Sequence, residues 1–527
     1  MEHQTIVVGS GVAASALTRR LLERAPDHSV LILEAGPRVP LKDRRAWWDY
    51  VIFGRAPYEH CHDLPLPGPT VTESENESTG QTEWVLRESR MMGYGGSTYH
   101  WGGWGLRFKP EDFELFSRTG RGADWPIRYE DLEPFYCDAE SLLSVSGTDP
   151  HGWTPRSKGY PLPPYEHTAA DAPMIAAFEK LGIAYAPMPM ARYRKCMTTG
   201  TCKYCPLGAR FVAAYLLEEL HDSGRHPNLE VRVRCPVSEL LLDRKDRVRG
   251  VRYLDCVSGQ TREAYGERVV ICSGSYESPK LLLRSRNPFW EKGVGNNHGL
   301  VGRHIISHPF LYVRGTSASN PQRLQQELDF PTLMSRHYDG PEQQRDGKLF
   351  LFRDRTKPRV NLAGLMIGGK TREQIDAVVT GPMEWELQGL MEEFANPENR
   401  VELGNGLNRL GLPQTRVHFH RAEGFDTASG QRLEWMKLIL REMGLTVGSQ
   451  VDKDFGVATQ RGDHAASTCR MARSPESGVV DENLRVHGVS NLFVCSNAVF
   501  PSGAAVNPTL TVTALSLRLG DHLSTHP

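Results

Sequence analysis

Patterns of buried strands and amphipathic helices mark both ends of the chain. Near the start, the apolar run at residues 5–8 predicts a buried strand, and a second strand is predicted at residues 29–33. The helical period at residues 15–24 lies between them, so a β-α-β unit with parallel strands is predicted. Another helix is predicted at residues 129–142, after a turn that begins at Asp124 or Pro126.

The C-terminal stretch combines a β-rich run with a helix. Residues 491–500 have the composition of a strand that closes a sheet. After Asn507, Pro508 takes a position that is favoured in the first turn of a helix, and the run TLTVTALSLRL predicts a buried helix. Asn507 is therefore predicted at a helix N-terminus, where unpaired backbone N–H groups can hold an anion or a carbonyl oxygen.

The middle of the chain has two different patterns of apolar and polar residues. Residues 229–243 read as strands, and residues 268–283 read as a buried strand, a glycine turn and a helix. From residue 310 to residue 455, β-like runs alternate with polar loops, at 348–353, 359–366 and 415–420. This alternation predicts an antiparallel sheet, with the polar segment 316–347 as a lid over it.

Length and charge narrow the classes of protein. A chain of 527 residues is too long for one compact core and predicts two or more domains. Lys and Arg total 62 against 63 Asp and Glu, so a net charge of −1 does not favour nucleic acid or an acidic membrane surface. No apolar run reaches the roughly 18 residues of a membrane span, and because a strand is predicted at residues 5–8 we expect no signal peptide.

The turn after the first strand has the pattern G-x-G-x-x-A, formed by Gly9, Gly11 and Ala14. Gly9 permits a tight turn, and Gly11 lets the backbone approach a pyrophosphate at the helix N-terminus. Glu34 lies 20 residues after Ala14 at the end of the second strand, where a carboxylate accepts hydrogen bonds from ribose hydroxyls. The pattern predicts a dinucleotide site, and a simple packing turn between helix and strand is the alternative.

Two other groups of residues carry candidate chemistry. Cys196, Cys202 and Cys205 follow the spacing C-x5-C-x2-C, at which thiolates can ligate iron or zinc. A structural loop with thiols or a disulfide is the alternative. The ten cysteines of the chain are otherwise scattered, which favours a reducing compartment or cofactor ligation. Glu392 or Glu393 can bind substrate, and an exposed carboxylate is the alternative interpretation.

The C-terminal stretch resembles a known family. Its three runs are H-x-x-S-T-x-R-M from His464, V-V-D-x-N-x-R-V-x-G from Val479 and A-x-N-P-T-L-T from Ala505. They resemble the C-terminal signature of the glucose–methanol–choline (GMC) flavin oxidoreductases. The resemblance implies that His464 and Asn507 face the flavin, with hydride passing to flavin N5, the hydroxyl proton to His464, and Asn507 orienting the oxygen. A neutral imidazole is well suited to take a proton near pH 7.

The resemblance extends to the cofactor site. Gly95, Gly96 and Ser97 match a loop that runs along the flavin, and their glycines let main chain lie close to a flat group. The following Y-H-W run resembles the sugar-oxidising branch, which includes pyranose oxidases and bacterial glucose, fructose and gluconate dehydrogenases. In pyranose oxidases the matching His is bonded covalently to the flavin, so His100 is a candidate for attachment, although Tyr99 departs from that pattern. The resemblance also assigns to the cofactor site Val237, Gly274, Asn497, Pro508 and Thr509.

The sugar-oxidising branch also bears on the cysteine trio. The flavoprotein subunits of bacterial glucose and fructose dehydrogenases carry a similar three-cysteine cluster that ligates a three-iron cluster. The resemblance therefore implies a 3Fe-4S cluster on Cys196, Cys202 and Cys205, although the second gap is one residue shorter here than in those subunits. A cytochrome c or a small accessory subunit is the implied partner, and the cytoplasm, or the periplasm by co-export with a partner subunit, is the expected location.

We therefore predict an α/β protein with an FAD-binding Rossmann-like domain, of the p-hydroxybenzoate hydroxylase type, and an antiparallel-sheet substrate domain. The FAD domain is expected to be discontinuous, from residues 1–150, 225–310 and 456–527, with a cysteine-containing insertion at 151–224 and the substrate domain at 311–455. The predicted reaction is FAD-dependent oxidation of a sugar or glycoside hydroxyl, with electrons passed to an acceptor protein or an iron–sulfur relay. An oxidase that makes hydrogen peroxide and a non-catalytic electron-transfer flavoprotein are the alternatives.

Overall fold

The structure is a computed structural model. It describes residues 3–39, 45, 76–86, 89–194, 196, 207–244, 246–318, 328, 330–354, 362–408, 411–458 and 462–525. Within these residues a parallel sheet and an antiparallel sheet form the two main layers, and helices pack against both.

The described strands are numbered in chain order. They are β1 (His3–Val8), β2 (Val30–Leu33), β3 (Asn76–Thr79), β4 (Val145–Ser146), β5 (Ala186–Pro187), β6 (Met190–Ala191), β7 (Leu229–Arg232), β8 (Val237–Arg244), β9 (Arg247–Asp255), β10 (Gln260–Ile271), β11 (Phe310–Ser317), β12 (Leu333–Ser335), β13 (Leu349–Arg353), β14 (Met383–Met391), β15 (Arg400–Leu407), β16 (Pro413–His418), β17 (Thr446–Val447), β18 (Phe455–Val457) and β19 (Leu492–Val494).

The described α-helices follow the same convention. They are α1 (Val12–Arg24), α2 (Leu115–Thr119), α3 (Tyr129–Leu142), α4 (Ala172–Lys180), α5 (Ala213–Asp222), α6 (Gly274–Arg284), α7 (Leu362–Ile367), α8 (Arg372–Thr380), α9 (Phe425–Glu442) and α10 (Thr509–Thr525). Short 3₁₀ turns include Gly96–Tyr99, Gly462–His464 and Asn497–Val499.

The parallel sheet has the strand order β7-β2-β1-β10-β19. β2 and β19 are buried on both faces, which is why their sequences are continuous apolar runs, whereas the edge strand β7 is only partly buried. Helices α1 and α10 pack so closely that a Cβ at Gly520 would come within 2.8 Å of the Arg20 side chain. The first half of β10 leaves this sheet and pairs antiparallel with β9, which pairs with β8.

The antiparallel sheet has the order β17-β11-β14-β13-β12-β5, and β18 also pairs with β11. Its residues alternate between two faces. Leu311 and Val313 share a core with Met436 and Leu440 of α9. Phe310, one residue away on the strand, points to the opposite side and contacts His464. The alternation along β11 thus builds a hydrophobic core on one face and a wall of the candidate site on the other.

A small sheet of β15, β16 and β3 supports helix α6. Trp84 and Tyr276 share a buried cluster with Val401 and Val417 of this sheet. The Trp84 indole N–H donates to the Tyr276 hydroxyl at 3.0 Å, and that hydroxyl donates to the carbonyl of Gly462 at 3.1 Å. The chain of contacts fixes the 3₁₀ turn that ends at His464.

Most predicted elements are confirmed. The β-α-β unit corresponds to β1, α1 and β2, and the helix predicted at residues 129–142 is α3. The predicted runs at 348–353 and 415–420 correspond to β13 and β16. The β-like interpretation of 359–366 is wrong where the chain is described, because residues 362–367 form α7; this apolar run lacks the period of two that a half-buried strand needs.

The remaining predictions for the middle of the chain have mixed outcomes. In the predicted lid, β11 extends to Ser317 and β12 lies at Leu333–Ser335, while residues 319–327 lie outside the described residues. The division of the chain into domain segments stays a prediction. β5, which comes from the predicted insertion, pairs with β12 of the predicted substrate segment. In the part of the chain that the structure describes, no helix is long and apolar enough to cross a membrane.

Candidate active site

A cavity of about 1020 Å³ extends from the first strand turn to His464. Its volume lies at the upper end of the range for small-molecule and cofactor sites, about 300–1,000 Å³. The carboxyl ends of β1, β2 and β10 bound one side, and the antiparallel sheet bounds another. The predicted site residues that line it are Gly9, Gly11, Glu34, Gly96, Ser97, His100, Val237, Gly274, His464, Asn497, Asn507, Pro508 and Thr509.

The glycine turn after β1 forms one end of the cavity. Gly9 has φ +101°, and a Cβ there would come within 2.8 Å of the Cys272 carbonyl oxygen. Gly11 has φ −67° and begins α1, and a Cβ there would meet no atom within 4 Å. Gly9 is therefore required by the backbone itself, whereas Gly11 keeps space open in the cavity next to a helix N-terminus.

Glu34 lies at the end of β2, as predicted, but its oxygens already have protein partners. Oε2 accepts from the N–H of Ser10 at 3.0 Å and from its hydroxyl at 2.5 Å, and Oε1 accepts from the N–H of Gly36 at 2.8 Å. Burial raises the pKa of Glu34, and these hydrogen bonds oppose the rise. Glu34 thus fixes the turn, and a contact with ribose stays a prediction.

Two predicted cofactor residues do not line the cavity. Ala14 is fully buried within α1, where a small side chain allows the helix to pack closely on the sheet. Gly95 has φ +108° and donates its N–H to the Ser10 hydroxyl at 3.0 Å. A Cβ at Gly95 would come within 2.8 Å of the Ala214 backbone nitrogen. Ser10, which the sequence did not single out, therefore joins the first turn to the second glycine loop.

His100 lies in the loop that follows the 3₁₀ turn Gly96–Tyr99 and lines the cavity. The guanidinium of Arg210, a buried residue, donates to the carbonyl groups of Tyr99 and Trp101 on either side of it. The Trp101 indole N–H donates to the carbonyl of Phe211 at 2.9 Å. These contacts hold the backbone around His100, and its covalent attachment to a cofactor stays a prediction.

His464 and Asn507 are neighbours, although 43 residues separate them. The Asn507 side-chain nitrogen lies 3.0 Å from His464 Nε2. Asn507 lies directly before Pro508 and the helix α10, as predicted from the sequence. The Asn507 side-chain oxygen is buried without a hydrogen-bond partner among the described residues, so it can accept a hydrogen bond inside the cavity.

His308 is the functional residue that the sequence did not reveal. An antiparallel bridge pairs Ile306 with Ala466, and this register places His308 opposite His464. The two Nδ1 atoms are 2.9 Å apart. His308 Nε2 lies 3.1 Å from the carbonyl oxygens of both Gly503 and Ala504. A histidine that precedes a proline at the start of a strand was the available signal, but no spacing linked it to His464.

The hydrogen bonds around His308 fix the tautomer of His464. Carbonyl oxygens only accept, so His308 Nε2 carries the hydrogen. A neutral His308 then accepts at Nδ1, and the partner N–H must come from His464 Nδ1. His464 Nε2 is left with its lone pair, which faces the amide N–H groups of Asn507. The arrangement presents an imidazole whose basic nitrogen carries no hydrogen of its own and accepts a hydrogen bond from the Asn507 amide.

Both histidines are neutral at pH 7. Burial lowers the pKa of His308 to about 4. His464 keeps part of its surface toward the cavity, but protein surrounds its ring nitrogens, and burial followed by the proximity of His308 lowers its pKa well below 6.5. A base with a lowered pKa stays deprotonated across neutral and mildly acidic pH, so its lone pair is available there.

Phe310 of the antiparallel sheet and Trp104, which lies outside the sheet, form an aromatic wall of the cavity. The ring centroids of Phe310 and His464 are 5.6 Å apart. Trp104 packs edge-on against Phe352 with centroids 4.6 Å apart. Gln388, which pairs with Phe352 across the strands, also lines the cavity. Aromatic faces beside a polar amide suit a ligand that has both apolar C–H faces and hydroxyl groups.

The two glutamates and the three cysteines predicted as candidate site residues remain to be placed. Glu392 and Glu393 are buried, so the interpretation as exposed carboxylates is wrong; Arg421 lies 3.0 Å from Glu393 and compensates its burial. Cys196 is half-buried, and Cys202 and Cys205 lie outside the described residues. The described residues contain no cluster of His, Cys, Asp or Glu able to hold a metal ion.

The cavity fits FAD by its shape and chemistry. Gly11 leaves room beside a helix N-terminus, where backbone N–H groups suit a pyrophosphate. Gly96 and Ser97, two residues of the loop that was predicted to run along the flavin, line the cavity. His464 and Asn507 line the same cavity, which is continuous with the glycine turn. A dinucleotide held at the turn can therefore reach the two polar side chains within one cavity.

Comparisons with known proteins agree with this assignment. The chain is 25% identical to the fructose dehydrogenase large subunit of Gluconobacter japonicus, over 99% of this chain and 97% of that protein. It is 28% identical to the 6'''-hydroxyparomomycin C oxidase of Streptomyces lividus, over 99% and 91%. The crystal structure of pyridoxine 4-oxidase from Mesorbium loti shares the fold, with a TM-score of 0.68, 18% identity and complete coverage of both chains.

Family models match both parts of the chain. Residues 5–310 match the N-terminal model of the GMC oxidoreductases, and residues 395–516 match the C-terminal model. The first range contains the glycine turn and His308, and the second contains His464 and Asn507. The fold, the site and these matches together show that the chain belongs to the GMC oxidoreductases, a family of FAD-dependent enzymes that act on CH–OH groups.

Proposed function

We propose that this protein oxidises a hydroxyl group of a sugar, a glycoside or a related alcohol. The observation that carries the proposal is the basic Nε2 of His464, held beside Asn507 on the wall of the large cavity. The relatives named fructose dehydrogenase large subunit and 6'''-hydroxyparomomycin C oxidase support a carbohydrate substrate. The aromatic wall at Phe310 and Trp104 supports it too, because sugars bind aromatic faces through their C–H groups.

The residues of the chain handle the proton. FAD, when bound, supplies the acceptor for the hydride. His464 Nε2 accepts the hydroxyl proton, and His308 holds the ring in the tautomer that can do so. The Asn507 amide N–H faces Nε2 in the structure; a substrate hydroxyl takes its place at Nε2, and the Asn507 amide then orients the substrate oxygen. Because His464 is neutral at pH 7, no prior loss of a proton is needed.

The test is anaerobic bleaching of the bound flavin by a panel of sugars, glycosides and simple alcohols. A member of the panel should bleach the native protein. His464→Ala should slow that reaction by about 100-fold or more while FAD remains bound, because a positioned general base is lost. A flavin that no hydroxyl compound bleaches would contradict the proposal and would favour an electron-transfer flavoprotein.

An oxidase is the second candidate, because one of the relatives is named an oxidase. Hydrogen peroxide formed in proportion to the oxidised substrate in air would favour it. Turnover with ferricyanide but without peroxide would favour a dehydrogenase.

We further propose that a dehydrogenase of this kind passes electrons through a three-iron cluster to a cytochrome c or a small accessory subunit. The spacing of Cys196, Cys202 and Cys205 and the relative named fructose dehydrogenase large subunit support this. Iron and acid-labile sulfide should both be present in protein purified without oxygen, and their absence would remove the cluster.

Acid precipitation tests the covalent attachment of flavin to His100. Flavin that stays with the precipitate supports a covalent bond.

A further inference from the structure

A second cavity, of about 10 Å³, touches both histidines of the site. Its volume is at the lower limit of what holds one water molecule. Apart from His308, His464, Ser307 and Glu393, its walls are formed by Ile306, Ala466, Phe500, Gly503 and Pro508. A single ionisable acid therefore shares a small, mainly apolar space with the proposed base.

Glu393 is almost completely buried, with 1% of its side chain exposed. Its Oε2 accepts from the Arg421 guanidinium at 3.0 Å. Its Oε1 is buried and has no hydrogen-bond partner among the described residues. A buried carboxylate oxygen without a partner is costly, and beside a cavity of this size a water molecule would supply the missing hydrogen bond.

The ionisation of Glu393 suits a group that takes and releases protons. Burial raises the pKa of Glu393 to about 7, against the opposing effect of Arg421. Arg421 is 16% exposed and packs over Phe419 and Phe425, so it lies between the buried carboxylate and solvent. One side chain, that of Arg421, therefore separates the Glu393 carboxylate from solvent on this side.

The proposed reaction creates a need for such a group. Oxidation of R₂CHOH to R₂C=O releases two electrons and two protons, and the hydroxyl proton goes to His464 Nε2. The histidine pair must lose that proton before the next turnover. Within the described residues, His308 Nε2 donates to carbonyl oxygens of Gly503 and Ala504, which hold a hydrogen bond but do not take a proton.

We propose that Glu393 is the proton acceptor that empties the histidine pair, through one water molecule in the small cavity. The substrate O–H bond breaks and an N–H bond forms at His464 Nε2. That N–H bond then breaks and its proton passes to the water molecule, which gives a proton to Glu393, so that an O–H bond forms at Glu393 Oε1 and His464 Nε2 regains its lone pair. The pair is neutral again, and Glu393 later releases the proton to solvent beside Arg421. This inference rests on the proposed oxidation of a hydroxyl.

The choice of electron acceptor separates proton release from the other steps. Ferricyanide takes electrons only, so both protons must leave the protein in each turnover. A benzoquinone takes two electrons and two protons, so the proton on the histidine pair can leave with it. Glu393→Gln keeps the size of the side chain and an oxygen for Arg421 but cannot accept a proton.

In the FAD-loaded full-length protein, Glu393→Gln should slow ferricyanide turnover by about 100-fold and benzoquinone turnover by only about twofold. Glu392→Gln is the matched control, because Glu392 is equally buried but contacts the Lys348 backbone and does not line the small cavity. That control should leave the ratio of the two turnover rates unchanged. Equal slowing with both acceptors in Glu393→Gln would overturn the proposal.

Infrared spectroscopy gives a readout that does not depend on activity. Burial raises the pKa of Glu392 as well, to about 8, so the native protein should show two carbonyl-stretch components of neutral carboxylic acids, and the component of Glu393 titrates with a midpoint of about 7. The Glu393 component should shift in deuterium oxide, persist in Glu392→Gln and disappear in Glu393→Gln, in which the Glu392 component remains. Persistence of the component with a midpoint of about 7 in Glu393→Gln, or its absence from the native protein, would refute the role of Glu393.

The two proposals fail in different ways. If no hydroxyl compound bleaches the flavin, the proposed function fails, whatever the infrared band shows. If substrate bleaches the flavin but Glu393→Gln leaves ferricyanide turnover unchanged, only the role of Glu393 fails. If Glu393→Gln does not fold, Glu393→Asp should keep the titrating band at a changed midpoint, and loss of acceptor dependence in that variant would again contradict the proposal.

Discussion

His308 offers the sharpest test of the site, because its proposed role is to fix a tautomer and not to touch substrate. His308→Gln retains a donor near the Nε2 position, for the carbonyls of Gly503 and Ala504, and removes the acceptor near Nδ1. The N–H on His464 Nδ1 then has no partner. The proton can move to Nε2, where it would block the lone pair that accepts the substrate proton.

The magnitude follows from the lost hydrogen bond. The two Nδ1 atoms are 2.9 Å apart, and His308 is buried, so water does not replace the acceptor at little cost. Leaving a buried donor unsatisfied costs about 1–3 kcal/mol, and a tautomer shift of that size lowers the rate about 5-fold to 150-fold. We expect flavin reduction in His308→Gln to slow within this range.

His308→Asn is the matched control. Its side-chain oxygen falls near the Nδ1 position, so an acceptor for His464 remains, while the contacts to the two carbonyls are lost. Anaerobic stopped-flow reduction with a bleaching substrate measures both variants, and thermal unfolding confirms that both are folded. His308→Asn should be faster than His308→Gln. Equal rates in two folded variants would refute the tautomer argument.

Three further predictions follow from the same geometry. Gly9→Ala should lower the free energy of unfolding of the apoprotein by about 2 kcal/mol or more, measured by urea unfolding, because φ is +101° at this position. Gly11→Ala should leave urea unfolding unchanged but weaken FAD binding in a fluorescence titration, because its methyl group enters the cavity. Asn507→Ala should retain FAD and slow anaerobic flavin reduction by about 10-fold to 100-fold, because the contact to the base is lost; an unchanged rate would contradict its role. Burial lowers the pKa of His304 to about 3 and of His308 to about 4, so below pH 6.5 the unfolded state takes up these protons first. The contribution of His308 to stability should be complete above pH 6.5 and fall by roughly 3 kcal/mol as pH approaches 4, measured as the difference in urea unfolding between the native protein and His308→Gln as a function of pH.

The buried Glu392 and Glu393 show why carboxylates are hard to assign from a sequence. A glutamate at the end of a strand is usually solvated, and nothing nearby in the chain indicates otherwise. Arg421, the cation that compensates Glu393, is 28 residues away, and the Lys348 backbone that contacts Glu392 is 44 residues away. Only the folded chain brings these partners together.

The sequence by itself determined the features that depend on neighbours along the chain. The strand, glycine turn and helix from β1 to α1 follow from local hydrophobic period and from the backbone freedom of glycine. The position of Asn507 before a helix follows from Pro508 and the apolar run after it. The pairing of His464 with Asn507 was expected through resemblance to a family, and the structure brings the two side chains to 3.0 Å.

The tertiary structure alone decided the protonation of the site. His308 reaches His464 through an antiparallel bridge between segments 160 residues apart, Ile306 and Ala466, and no local pattern encodes that register. The carbonyls of Gly503 and Ala504 then decide which nitrogen of His308 carries the hydrogen. Hydrogen bonds and burial act through space, so the tautomer of the base and the small cavity beside it exist only once distant segments have packed together.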